Sequence, residues 1–228
     1  MSDNPGWIQR LSKLDTCAVS DALDSLQLPG TVTGIQRLAT QQRICGKVLT
    51  VTLERAAAVP GTSSTRHLCT GAIEAAQPGD VIVVQQRTGL DAAGWGGVLS
   101  IAAQAKQIAG VIVEGPARDI DESQQAGFPV FARNATARTA RGRVREIACN
   151  EPITVGEVRV APGDLVIADG SGVVFIAHQH IEIVLEAAER IAAKEALMVQ
   201  AARARRPASE VMGADYESML EHHGSKAT

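Results

Sequence analysis

The sequence predicts a single α/β domain over residues 1–228, built around a β-α-β unit and finished by a helical C-terminal extension over 180–228. Three observations predict it. Apolar runs at 81–85 and 111–114 flank a helix-patterned stretch at 98–109, the order that two parallel strands and a right-handed crossover require. The tripeptide Pro-Gly-Asp occurs at 78–80 and again at 162–164, each time before an apolar run, and Pro then Gly suits the centre of a type II turn entering a buried strand. From 180 to about 206, Ile181, Val184, Leu185, Ala188, Ile191, Ala192, Met198 and Val199 return at helical intervals until Pro207 breaks the pattern.

The remaining elements follow in order. Residues 8–26 read as one amphipathic helix carried by Leu11, Leu14, Val19, Ala22, Leu23 and Leu26, closed by Pro29 and Gly30. The Val- and Thr-rich alternation of 45–53 reads as a strand. A Gly/Ser/Thr loop at 60–65 leads to a short helix at 68–76, and a last short helix is expected at 209–222. The repeated tripeptide fits a recurrent strand-starting turn better than an internal duplication, because no longer self-similarity accompanies it.

Composition narrows the function classes. Hydrophobic residues are 45% and aromatics only 3%, so Ala, Val, Ile and Leu must build the core, and the aromatic platforms of single-strand nucleic-acid binders are missing. A formal charge of -3 gives no global attraction for polyanions or acidic membranes, so any basic patch has to be local. Cys17, Cys45, Cys69 and Cys149 form no CxxC pair, which argues against a zinc cluster or a disulfide framework. With no apolar signal core and no membrane-length apolar window, a cytoplasmic protein without nucleic-acid or membrane partners is expected.

The chemistry is concentrated between 81 and 129. A helix of about 12 residues descends about 18 Å and the strand after it climbs back about 17 Å, so the helix start and strand end meet at one sheet edge. That places the turn Gly94-Trp95-Gly96-Gly97 beside Arg118 and Asp119, where open α/β sheets hold ligands. The turn offers backbone N–H groups to an anion, and the planar guanidinium of Arg118 matches a carboxylate. Asp119 and Glu122, three residues apart, can face one side and form a hard-oxygen site for Mg²⁺ or Mn²⁺ with water completing the shell. The same spacing also fits a solvated, salt-bridged turn.

These segments resemble the family that contains the regulator of ribonuclease activity A and the class II 4-hydroxy-4-methyl-2-oxoglutarate aldolases. The resemblance is carried by Val19-Ser20-Asp21-Ala22-Leu23, Pro78-Gly79-Asp80-Val81, Trp95 to Leu99, Arg118-Asp119, Gly127 to Phe131, and Pro162-Gly163-Asp164 with Asp169 and Gly172-Val173. It implies a swivelling β/β/α fold and homotrimers or hexamers with sites near subunit boundaries. It also implies that Arg118 binds a 2-oxo acid, that Asp119 supports a metal, and that the backbone around Gly96, Gly97, Val98 and Leu99 holds the pyruvyl carboxylate. Well-known aldolases of the group carry an acid where this chain has Gly97; another active branch pairs Gly there with an acid three residues after the Asp, as Glu122 is here.

The function expected is a metal-dependent carbon–carbon lyase that releases pyruvate from 4-hydroxy-4-methyl-2-oxoglutarate-type acids and also decarboxylates oxaloacetate. The candidate proton carriers are a metal-bound water or a carboxylate from a neighbouring subunit such as Glu195. Lys106 falls within the helix, which argues against a Schiff-base aldolase. His67 and Asp91 are secondary loop candidates, and Glu114 stands where Asp is commoner. The alternative is a non-enzymatic protein that masks a ribonuclease.

Overall fold

The computed structural model describes residues 6–56 and 67–213, so the expected loop at 60–65 and most of the expected last helix lie outside the described residues. Helices α1 (Gly6–Leu11) and α2 (Thr16–Ser25) stand where a single helix over 8–26 is expected. The correction has a local cause: the Asp15 carboxylate accepts a hydrogen bond from Ala18 N at 2.8 Å and so begins a new helix. Lys13 N and Leu14 N have already closed three-residue turns onto Arg10 O and Leu11 O.

Strands β1 (Thr31–Val32) and β2 (Gln36–Ala39) are short, and β3 (Ile44–Arg55) is the long strand on which the sheet is organised. After helix α3 (Thr70–Ala75) come β4 (Val81–Gln85), helix α4 (Gly97–Ala105), β5 (Gly110–Ala117) and helix α5 (Ile120–Gln125). Then follow β6 (Val130–Ala135), β7 (Val144–Cys149), the hairpin β8 (Ile153–Val155) and β9 (Val158–Val160), and β10 (Leu165–Ala168) with β11 (Val173–Ile176). The long helix α6 (Ile181–Arg203) precedes the short α7 (Ala208–Val211).

Both Pro-Gly-Asp turns behave alike. Gly79 and Gly163 have φ of 87° and 91°, the left-handed value a type II turn needs at its second central residue. Asp80 and Asp164 each accept from the amide three residues earlier, at 2.8 Å.

The nine-stranded sheet runs β1-β11-β10-β3-β4-β5-β6-β2, with β7 pairing β3. The strands β3, β4, β5 and β6 are mutually parallel, and β10, β11, β1, β2 and β7 join antiparallel. Its two terminal strands, β1 and β2, are separated only by residues 33–35, so the sheet curls into a half-barrel. Val48, Val81, Val83, Ile112, Phe131 and Phe175 fill the inside. Outside, α3, α4 and α5 cover the β3-to-β6 half, while α1, α2 and the first turns of α6 cover β10 and β11.

Glu114, whose role the sequence leaves open, is a clamp of this barrel. Its side chain, 11% exposed, accepts from Arg133 Nε at 3.1 Å and Nη2 at 2.7 Å and from Gly156 N at 3.1 Å, tying β5 to β6 and to the β8-β9 hairpin.

Candidate active site

Strand β5 is longer than its apolar run suggests. Residues 115–117, expected as loop, continue the strand, and the parallel bridge between Trp95 and Ala117 draws the glycine turn alongside it. Gly94 N donates to Pro116 O at 2.8 Å and Arg118 N to Trp95 O at 3.0 Å. The turn and the Arg118-Asp119 pair are therefore neighbours by backbone pairing.

Beneath them a buried polar chain joins α4 to α5. Trp95, 1% exposed and stacked on Phe128, donates from Nε1 to Ser100 Oγ at 2.9 Å. Ser100 Oγ meets Ser123 Oγ at 2.8 Å, and Ser123 Oγ donates to Asp119 O at 3.0 Å. Both serines are fully buried, so each hydroxyl needs its partner to offset lost hydration.

Asp119 has φ of 54°, a left-handed conformation that Asp tolerates better than most residues. It precedes α5 without capping it, and its carboxylate turns back to α4 instead, accepting from Gly97 N at 3.0 Å. Arg118 Nε lies 3.4 Å from the same oxygen, and both side chains are more than one-third exposed. Of the amides expected to face a ligand, that of Gly97 is thus taken by Asp119. Those of Val98 and Leu99 remain at an α4 N-terminus whose own N-cap residue, Gly96, has no side chain to offer.

Gly97 is closely packed. A Cβ there would lie 3.0 Å from Asp119 Cβ and 3.1 Å from Glu122 Cβ, so Glu122 fills the space in which a residue 97 side chain would stand. Gly96 is as tightly placed, with Asp119 Oδ2 at 2.9 Å from its would-be Cβ. Asp119 and Glu122 supply hard carboxylate oxygens and no third ligand: among the described residues no cluster of three or more His, Cys, Asp or Glu could hold an ion. That donor set fits a largely hydrated divalent cation of the Mg²⁺ type rather than a fully protein-caged one.

Other expected residues lie elsewhere. Asp91 is exposed and pairs with Arg138 at 3.4 Å. His67 is exposed ahead of α3, its ring Nδ1 3.0 Å from Leu68 O. Glu195 stands on α6, in the other helical layer, and is not brought to Arg118 within one chain. Its carboxyl is pushed above the usual range by burial first and then by Asp15 and Asp21. A carboxyl raised on folding favours the native state below its unfolded value, and that advantage disappears as pH climbs through the folded one. Glu195→Gln is therefore expected to raise the denaturant midpoint near neutral pH and to leave it unchanged below about pH 4. An unchanged midpoint at both pH values would contradict it.

Comparison with known proteins shows the family. The family profile described as RraA-like, Aldolase/RraA, matches residues 16–175. The chain belongs to the RraA-like family. Within the family it is 31% identical over 185 residues to a Halalkalibacterium halodurans protein named "Putative 4-hydroxy-4-methyl-2-oxoglutarate aldolase", covering 81% of this chain and 82% of that one. It is 28% identical over 182 residues to protein DlpA of Legionella pneumophila, covering 79% of this chain but only 29% of DlpA. A crystal structure of an uncharacterized Pseudomonas syringae protein superposes with a TM-score of 0.83 at 26% identity, over 93% of this chain and all of that one. RraAS2 of Streptomyces coelicolor, from the RNase ES inhibitor RraA family, superposes with a TM-score of 0.75 at 22% identity over 86% and 97% of the two chains, a likeness of fold alone. Among the described residues no RraA-like helix of this chain is long and apolar enough to cross a membrane.

Proposed function

We propose that this RraA-like protein is a divalent-metal-dependent lyase that releases pyruvate from 4-hydroxy-4-methyl-2-oxoglutarate-type acids and decarboxylates oxaloacetate. One observation carries the reading: Arg118 lies against Gly96, and Asp119 and Glu122 against Gly97, at the start of α4. The name borne by the Halalkalibacterium relative supports it.

In this reading the substrate's C1 carboxylate sits against the amides of Val98 and Leu99 and the guanidinium of Arg118. Asp119 and Glu122 hold Mg²⁺ or Mn²⁺, which when bound supplies Lewis acidity toward the 2-oxo group. Cleavage removes the proton of the 4-hydroxyl, forms the C4 carbonyl and breaks C3–C4, leaving the electron pair on the enolate of pyruvate. Arg118 stabilises the charge gathering on the C2 oxygen. Loss of carbon dioxide from oxaloacetate reaches the same enolate, and protonation at C3 completes either reaction. Val98, 82% exposed, and Ile101, 57% exposed, leave apolar surface beside the site. A second copy, in a homotrimer or hexamer, covers it and brings its own Glu195 as proton carrier.

The test is pyruvate release from 4-hydroxy-4-methyl-2-oxoglutarate and from oxaloacetate, with Mg²⁺ or Mn²⁺ and with chelator. Turnover is expected only with metal, and Glu122→Ala is expected to demand more metal for half-maximal rate. No metal-dependent turnover on either acid would favour the protein-binding regulator instead.

A further inference from the structure

The curled sheet gathers a local basic patch on a chain whose net charge is -3. Arg55, Arg87, Arg138, Arg141, Arg143 and Arg145 are all exposed, and Arg55 and Arg138 reach the loop that leads into the glycine turn through Thr88 and Asp91. Arg145 is paired with Glu54, and Arg55 Nε donates to Thr88 O at 2.8 Å. Arg138 differs from the rest in its backbone position. Ala117 lies between Trp95 on one side and Ala135 on the other. From there Thr136 N donates to Ala117 O at 2.9 Å, yet Arg138 O accepts from Ala93 N at 3.0 Å, on the opposite side of β5. The segment 136–138 must therefore cross the last residues of β5, beside the point where Arg118 begins. Neighbouring strands are about 4.8 Å apart, so the two arginine backbones stand within about two strand spacings.

The Arg138 side chain is 66% exposed, with its Nε 3.4 Å from Asp91 Oδ2, and its planar guanidinium matches a carboxylate. We propose that Arg138 is a specificity-determining residue that receives the far carboxylate of a 2-oxo diacid whose 2-oxo end is held by Arg118 and the α4 amides. This rests on the reading of the Arg118 site given above, and it makes polycarboxylates preferred over monocarboxylic 2-oxo acids.

The experiment is calorimetric binding of pyruvate and of 2-oxoglutarate to the full chain in the presence of Mg²⁺. Wild type is expected to bind the diacid about two- to fivefold more tightly, the usual worth of an ion pair made by an exposed side chain. Arg138→Ala abolishes the difference without weakening pyruvate, Arg138→Lys keeps part of it, and Arg141→Ala, removing the same charge from the same patch, keeps all of it. Equal affinities in wild type, a preference that survives Arg138→Ala, or equal losses in Arg138→Ala and Arg141→Ala overturn the assignment while leaving the Arg118 site standing. Absence of binding of either acid to wild type overturns both.

Discussion

Replacing Arg118 with alanine is expected to lower kcat/KM for pyruvate release by about 10²–10³, the usual loss when one donor aimed at developing oxyanion charge is removed. The fold should be indifferent to the change. Arg118 has 38% of its side chain exposed and a long 3.4 Å contact with Asp119, so its ion pair adds about 0–1 kcal/mol at most. Arg118→Lys keeps the charge but loses the planar fork, and should recover only a small part of the rate. Circular dichroism and denaturant midpoints of both variants should match wild type, separating a chemical effect from unfolding. Full activity in the alanine variant would end the proposed mechanism.

Replacing Trp95 with alanine is expected to cost about 3–5 kcal/mol of stability, as for other large buried aromatics. The ring is stacked on Phe128, with centroids 6.0 Å apart, and its loss opens a cavity directly beneath the glycine turn. It also strips Ser100 of the donor that orders the hydroxyl chain to Ser123 and Asp119 O. At about 2–4 °C per kcal/mol for a chain of this size, Tm should fall by about 10 °C. Trp95→Phe, which keeps most of the ring but no N–H, should lose about 1–2 kcal/mol. A Tm within a degree or so of wild type for the alanine variant would show that this network does not hold the turn.

The β4-α4-β5 unit was readable because Val81–Gln85 and the run from Val111 are apolar on both faces, the mark of strands buried on both sides. The meeting of Gly97 with Arg118 followed from element lengths alone. Boundaries were less readable. Helix α4 ends at Ala105, short of the expected 109, because Gln107 turns left-handed and Ile108 N returns to Ala103 O, while the apolar Ile108 and Ala109 mimic another helical turn. The break between α1 and α2 was signalled by Asp15 before Thr16, a cap that the continuous apolar spacing obscured. At the site, residue types identified Arg118, Asp119 and Glu122 as neighbours. The capture of the Gly97 amide by Asp119 depends on a left-handed φ that no spacing rule reports. The arginine run over 138–145, visible in the sequence, was not used in reading the site.

The near-meeting of β1 and β2 has a consequence for how the molecule is made. Thr31 and Val32 pair with Val174 and Val173, and Ile44 to Lys47 pair with Ala168 to Leu165, so these strands find their partners only far later in the sequence. Such distant pairings are slow to form and leave apolar strand surface exposed in the meantime. Until β10 and β11 are available, β1 and the first residues of β3 lack these partners, so deletion of residues 165–176 is expected to unravel that side of the sheet.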